Sequence, residues 1–255
     1  MSTLRKPWAI FLLVSIVLSV YYQYVDKSGG LFAVISFGRV FAIGLALWLY
    51  RDTRAAGFLR WFFGASLLFA IGDTLAYNYQ FFFGQDLPFP SAGEPFYLLY
   101  YPLILCGLMA MMRREGFTNA RAYETFAVVI LSTFLQWALV TGPLTDDSNS
   151  AVSVLYPLFD VLMIYCVARL FTVTRNNPAL IMLVASALVL FMADCLYAWV
   201  TVRAGYSTPG DLDILWLVSY ALMGAAALHP SIYTFKQQLG EGYELTSVLK
   251  PEDLE

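Results

Sequence analysis

Charge is scarce in this chain. Of 255 residues only 13% are Asp, Glu, Lys or Arg, and 60% are hydrophobic. A soluble domain carries about 25% charge. With a mean hydropathy of +0.66, a soluble domain is excluded and an integral membrane protein is indicated. Histidine is scarcer still, with His229 the only one. Membrane zinc hydrolases need several histidines and b-type haem usually takes two, so neither chemistry fits. No lysine falls inside an apolar run, which excludes a retinal Schiff base. No glycine-rich phosphate loop and no Ser-His-Asp set can be assembled. Cys106, Cys166 and Cys195 all lie in apolar segments and read as small buried hydrophobes, with no disulfide or metal pattern. No cofactor, metal or nucleic acid is expected.

What the chain has in quantity is long apolar text. Runs near 8–25, 31–50, 57–83, 95–112, 122–141, 151–174, 179–202 and 212–229 each reach or approach the ~20 residues a helix needs to cross a bilayer. Bulky Val20-Tyr21-Tyr22-Gln23-Tyr24 follows the first run where a cleavage site would need small residues, so that run reads as a retained span. With the N-terminus inside, the inner segments hold Arg5, Lys6, Arg51, Arg54, Arg60, Arg113, Arg114, Arg121, Arg169, Arg175, Lys236 and Lys250. The outer loops hold only Lys27 and Arg203. That asymmetry orients the chain with both termini cytoplasmic. Gln85–Ser91 and Gly205–Gly210 carry turn residues, and Asp146 and Asp147 read as solvated loop residues. Ser91 with Glu94 reads as a capping box opening the fourth span.

Carboxylates interrupt the apolar text at two similar places, Ile71-Gly72-Asp73-Thr74-Leu75 and Met192-Ala193-Asp194-Cys195-Leu196. Asp73 and Asp194 are 121 residues apart, and so are Arg39 and Asp160. Glu94 and Asp213 are 119 apart, as are Tyr101 and Tyr220. These coincidences predict an all-α polytopic protein of eight transmembrane helices built from two parallel four-helix repeats. The repeats would fall at 1–112 and 113–229, with a cytoplasmic tail at 230–255. At 1.5 Å rise per residue, Asp73 and Asp194 each lie ~24 Å from the inner end of their spans. Arg39, Asp160, Glu94 and Asp213 fall in the same outer layer. The expectation is a polar pocket between the halves, opening outward.

Intramembrane ionisable groups usually face a bundle interior and mark function. Arg39 is always protonated and is expected to pair with Asp73, Asp160 or Asp194. The carboxylates left over cannot all stay charged and dry, so at least one should keep a proton near neutral pH unless water or a cationic ligand enters. A proton donor, a proton sensor and a cation binder all remain open, beside a purely structural ion-pair network. Tyr77, Tyr79, Tyr97, Tyr100, Tyr101, Trp199, Trp216 and Tyr220 read either as pocket lining or as interfacial belt and core. Tyr101 and Tyr220, present in both halves, are the best pocket candidates.

Two family resemblances follow from the motifs. Pro90-Ser91-Ala92-Gly93-Glu94-Pro95-Phe96-Tyr97-Leu98-Leu99-Tyr100-Tyr101-Pro102-Leu103 resembles a motif of the eight-span sensor region found N-terminal to bacterial diguanylate cyclases, cyclic-di-GMP phosphodiesterases and histidine kinases. Tyr156-Pro157-Leu158-Phe159-Asp160, Asp213-Ile214-Leu215-Trp216 and Ala226-Ala227-Leu228-His229-Pro230 look like the same family. Glu94 stands where that family usually has Asp, Gly93 replaces Ala, and the 255 residues contain no output domain. The resemblance implies a sensory input module of the bacterial inner membrane, relaying to a cytoplasmic signalling domain or partner. Arg39, Asp73, Glu94, Tyr101, Asp160, Asp194, Asp213 and Tyr220 would line the site for a small-molecule or lipid-like ligand. Membrane lipid surrounds such a module, and a homodimer is compatible with it. The eight spans with Gly72-Asp73 and Ala193-Asp194 also resemble the lysoplasmalogenase family of membrane hydrolases. That resemblance implies Asp73 and Asp194 as a catalytic acid/base pair acting on a vinyl ether lipid.

Overall fold

A computed structural model of the chain describes residues 6–88, 90–114, 122–138, 151–173, 176–204 and 210–233. Among these residues all regular structure is helical. The α-helices are α1 Pro7–Tyr24, α2 Gly29–Leu49, α3 Ala56–Tyr77, α4 Tyr79–Phe83, α5 Glu94–Arg114, α6 Ala122–Gln136, α7 Ala151–Val173, α8 Pro178–Ala204 and α9 Asp213–Leu228. A 3-10 turn, Pro230–Ile232, follows α9. Five of them, α1, α2, α3, α5 and α8, are long and apolar enough to cross a membrane, and α9 is a shorter apolar helix. Large apolar side chains face outward along α1 and α6, among them Leu13, Val17, Phe126 and Phe134. These features mark a helical membrane protein. The loop at 139–150, with Asp146 and Asp147, most of Gly205–Gly210 and the chain after 233 lie outside the described residues.

Local chemistry sets the helix ends. Ser28 caps α2 by accepting the Leu31 N–H at 3.3 Å. Asn177 caps α8, its Oδ1 accepting the Leu180 N–H at 3.2 Å, and Pro178 takes the first helical position, where its missing N–H costs nothing. The expected third run, 57–83, is split: Asn78 leaves the helical region (φ −116°, ψ 25°) and α3 stops at Tyr77. The Asn78 side chain donates back to the Thr74 carbonyl at 3.0 Å, which closes α3. Apolar Phe81, Phe82 and Phe83 continue in the short α4, so composition alone hid the break.

Helix α9 is the central post. Of its 16 residues, 12 are buried, and the half-buried Ile214, Leu215, Val218 and Leu222 share one side. Ala221, Gly224, Ala225 and Ala226 keep its surface small, so α1, α2 and α8 approach closely. Helix α3 packs along α2 and α5, and α7 along α5, α6 and α8. Three of these contacts cross between the expected halves: α1 with α9, α2 with α9 and α7 with α5.

At the end of the bundle where α2 stops and α9 finishes, the chain after α9 is pinned. Asn177 Nδ2 donates to the Ser231 carbonyl at 3.0 Å, and the Ser231 hydroxyl donates to Asn177 Oδ1 at 2.8 Å. His229 ends α9 in an extended conformation, as a residue before proline must. Its Nδ1 accepts the Ser231 N–H at 3.1 Å, and its ring lies 4.9 Å from that of Trp8. Burial, with the nearby Lys6 ammonium, holds the His229 imidazole below the usual histidine range.

Two outcomes follow. A Cβ added to Gly29 would lie 2.1 Å from the Tyr77 backbone carbonyl oxygen, whereas one added to Gly30 meets nothing within 4 Å. Gly29→Ala is therefore expected to destabilise by about 1–3 kcal/mol while Gly30→Ala does not, read as thermal unfolding in detergent. The second concerns pH. The folded state binds a proton at His229 less readily than the unfolded chain, so this stability is complete above about pH 6.5 and is lost as pH falls below it. Between pH 7 and 5 the melting temperature of the wild type should drop further than that of His229→Gln.

Candidate functional site

Helices α5 and α9 open with the same spacing of polar groups. Glu94, Tyr97 and Tyr101 on α5 match Asp213, Trp216 and Tyr220 on α9, each at i, i+3 and i+7. That spacing puts each set on one helix face. Every one of the six side chains meets a polar or charged group from another helix.

The deepest layer holds two carboxylate clusters. In the first, Asp73 on α3 is 2% exposed. It accepts the Ser36 hydroxyl from α2 at 2.5 Å and the Tyr97 hydroxyl from α5 at 3.1 Å. The Tyr220 hydroxyl of α9 also reaches it. In the second cluster, Asp194 on α8 accepts the Trp216 indole N–H at 2.9 Å and faces the Tyr101 hydroxyl at 3.4 Å. The same hydroxyl lies 2.9 Å from Asp160 on α7. Gln136 on α6 donates to the other Asp160 oxygen at 3.1 Å. The clusters thus mirror one another. Tyr97 serves Asp73 as Trp216 serves Asp194, while Tyr220 and Tyr101 each cross to the other half's carboxylate.

Arg39 departs from its expected partner. It makes no ion pair within 4.0 Å with Asp73, Asp160 or Asp194. Its guanidinium instead lies over the rings of Tyr220 at 4.0 Å and Phe69 at 5.0 Å. The reason is local: Asp73 is already filled by hydroxyl donors, and the two aromatic faces hold the guanidinium where it is. Arg39 is 1% exposed, and its Nε and Nη2 have no hydrogen-bond partner.

A second layer lies at the helix mouths. Asp213, fully buried at the first position of α9, accepts hydroxyls from Tyr22 of α1 at 2.7 Å and Tyr77 of α3 at 2.9 Å. The Gly210 N–H adds a third bond at 2.9 Å. Glu94, at the first position of α5, accepts the Tyr156 hydroxyl from α7. The expected capping box is not formed as such. The Ser91 hydroxyl accepts the Gly93 N–H at 3.1 Å and meets the Glu94 carboxylate rather than its N–H. Tyr156 takes the Glu94 side chain away from the reciprocal bond a capping box needs. Outermost, Lys27 pairs with Asp211 at 2.7 Å and holds that carboxyl below its usual range.

The eight residues expected from sequence therefore share one half of the bundle, seven of them in four polar groups and Arg39 over the rings of Tyr220 and Phe69. Asp73 and Asp194 belong to different groups. Sequence reasoning missed Ser36, Gln136 and Tyr22, which carry no motif. It listed Tyr97 and Trp216 only among general aromatics, although their separation of 119 residues equals that of Glu94 and Asp213. Below the carboxylates a small apolar crevice is lined by Tyr100, Ile104, Leu108, Met163, Leu190 and Met223, with Ser186 on its wall. Among the described residues no group of three or more His, Cys, Asp or Glu could hold a metal ion. No family model, curated protein or solved structure matches the chain.

The mouth of α9 yields a stability test. A hydrogen bond to a charged group contributes about 1.5–3 kcal/mol. Tyr22→Phe and Tyr77→Phe should each lower stability by about that amount. Because both hydroxyls serve Asp213, the double variant should deviate from additivity by more than the ~0.5 kcal/mol seen for independent sites. Thermal unfolding of the four proteins measures this.

Proposed function

We propose that this chain is a membrane-embedded sensory or ligand-binding module whose polar layer, between two four-helix repeats, takes a small-molecule or lipid-like ligand and relays its presence to the cytoplasm. In this reading eight helices cross the bacterial inner membrane with both termini inside. The repeats occupy 1–112 and 113–229. The mirrored clusters and the exchanged contacts of α2 with α9 and α7 with α5 support the repeat. Lys6, Arg51, Arg54 and Arg60 belong to the ends of α1, α2 and α3 away from the carboxylates, which supports the orientation.

The observation that carries the reading is Arg39. A guanidinium buried in a bundle with two N–H-bearing nitrogens unbonded is costly, because each lost partner forfeits about 1–3 kcal/mol. The Nε–Nη2 edge is the side on which arginine grips a two-oxygen acceptor. A ligand carrying a carboxylate or phosphate satisfies it. Occupancy would act on Tyr220, which lies against Arg39, and through α9 on the turn Pro230–Ile232 and the tail.

One observation favours a second reading, an intramembrane lipid hydrolase. Asp160 and Asp194 face one tyrosine hydroxyl and make a better acid/base pair than Asp73 and Asp194, which share no hydrogen bond. Vinyl ether hydrolysis begins with proton transfer to carbon and suits a carboxylic acid donor.

Organic extraction of the purified protein, followed by mass spectrometry, tests the first reading. The wild type should yield one compound enriched in near-stoichiometric amount over bulk membrane lipid. Arg39→Met and Asp73→Asn should lose it while still eluting as folded protein. Identical extracts from all three would overturn the reading. Aldehyde release from a lysoplasmalogen, abolished in Asp194→Asn, would establish the hydrolase instead.

A further inference from the structure

The two clusters differ in charge at one equivalent position: the first has Arg39 where the second has Asp160. The first therefore carries its own cation beside Asp73. The second brings two carboxylates together, and among the described residues no basic side chain forms an ion pair with either one. Tyr101 has a single hydroxyl proton, yet its oxygen lies 2.9 Å from Asp160 Oδ1 and 3.4 Å from Asp194 Oδ2. Two ionised carboxylates on one phenol, inside a helix bundle, repel strongly with little water to screen them.

An independent observation points to what balances them. Gln136 is 4% exposed, and its Oε1 has no partner, although its Nε2 donates to Asp160 Oδ2 at 3.1 Å and to Cys195 Sγ at 3.8 Å. The two ends of a glutamine amide are interchangeable by rotation about one bond. Turned over, Oε1 faces Asp160 Oδ2 and accepts from a carboxylic acid O–H there. The cluster thus holds a spare acceptor at the one carboxylate oxygen where a proton can sit.

We propose that Asp160 and Asp194 form a proton-binding site that holds one exchangeable proton between them, framed by Tyr101 and Gln136. Uptake makes one O–H bond and turns one carboxylate into a carboxylic acid, and a hydronium ion gives up the proton and leaves as water. A metal cation suits the site less. The Trp216 N–H is spent on Asp194 Oδ1 and would point at an ion there, and among the described residues no group of three or more His, Cys, Asp or Glu could hold a metal ion.

The groups around the site leave the proton as the balancing charge. From α5 come Tyr101 and, behind it, Tyr100. From α8 comes Cys195, a neutral thiol beside Gln136. Tyr156, one turn before Asp160 on α7, spends its hydroxyl on Glu94. From α9 come Trp216 and Tyr220, and Tyr220 lies against Arg39. The inference does not depend on the ligand at Arg39 and stands whichever reading of function holds.

Infrared spectroscopy of the full chain in detergent at neutral pH reads the proton directly. A protonated carboxyl gives a C=O stretch apart from the carboxylate bands, and it shifts in heavy water. The wild type should show one such band per chain, lost in both Asp160→Asn and Asp194→Asn and retained in Asp73→Asn. Retention in both dyad variants, or loss only in Asp73→Asn, would overturn the proposal. So would disappearance of the band on adding sodium at constant pH, since a metal ion would then be the occupant. If the dyad variants fail to fold, the wild type decides with carbon-13-labelled aspartate. One protonated aspartate carboxyl in its magnetic resonance spectrum upholds the site, and none overturns it.

Discussion

Every carboxylate oxygen placed inside this bundle needs a donor, and tyrosine supplies most of them. Asp73, Asp160, Asp194, Glu94 and Asp213 each take at least one tyrosine hydroxyl from another helix. Membrane helices gain little from hydrophobic burial against one another, because lipid tails are as apolar as a packed interface. Directed bonds of this kind therefore fix which helix faces which, and at what height. Tyrosine suits the task because its ring packs in an apolar layer while its hydroxyl reaches across to the next helix. The aromatic layer packs on itself as well. Phe69 meets Tyr97 at 4.9 Å, Tyr100 at 4.8 Å and Tyr220 at 5.7 Å, tilted or edge-on.

The same need explains why α5 and α9 organise the site. Each begins with a carboxylate and carries aromatic donors one and two turns later. Between them they pack along all four helices that carry the clusters, α5 against α3 and α7, and α9 against α2 and α8. A tyrosine two turns into α5 reaches the carboxylates of α7 and α8, and its counterpart in α9 reaches Asp73 of α3 and lies against Arg39 of α2. Sliding either helix by one residue, 1.5 Å along and a hundred degrees round, would detach all three of its polar side chains at once. The register is held by the set rather than by any one bond.

Much of the helix layout was legible in sequence, because hydropathy reports the one requirement a membrane helix cannot evade. Each of the eight apolar runs contains a helix, and five of these helices are long and apolar enough to cross a membrane. The break at Asn78 was not legible, because Phe81–Phe83 keep the hydropathy high beyond it. The spacing of Asp73, Asp194, Arg39 and Asp160 brought these buried residues forward, since an ionisable group in apolar text stands out. Their partners did not stand out. Ser36, Tyr22 and Gln136 are ordinary residues for a helix, and only packing reveals that they are donors. The expectation that Arg39 pairs with a carboxylate followed charge alone. It overlooked that hydroxyls from α2, α5 and α9 fill Asp73 first and that two rings offer the guanidinium another seat.

Helix α9 joins this layer to the opposite end of the bundle. Asp213, Trp216 and Tyr220 engage α1, α3 and α8 near its start, and Leu228 at its end accepts the Tyr50 hydroxyl of α2 at 3.1 Å. Between them lies a helix buried over most of its surface and rich in alanine, with no proline to bend it. Such a rod resists bending, because its neighbours are close-packed and bending it would open voids. Its far end is pinned in turn by Tyr50, by His229 and by the paired bonds of Asn177 and Ser231, so the height of α9 is fixed at both ends by side chains from other helices.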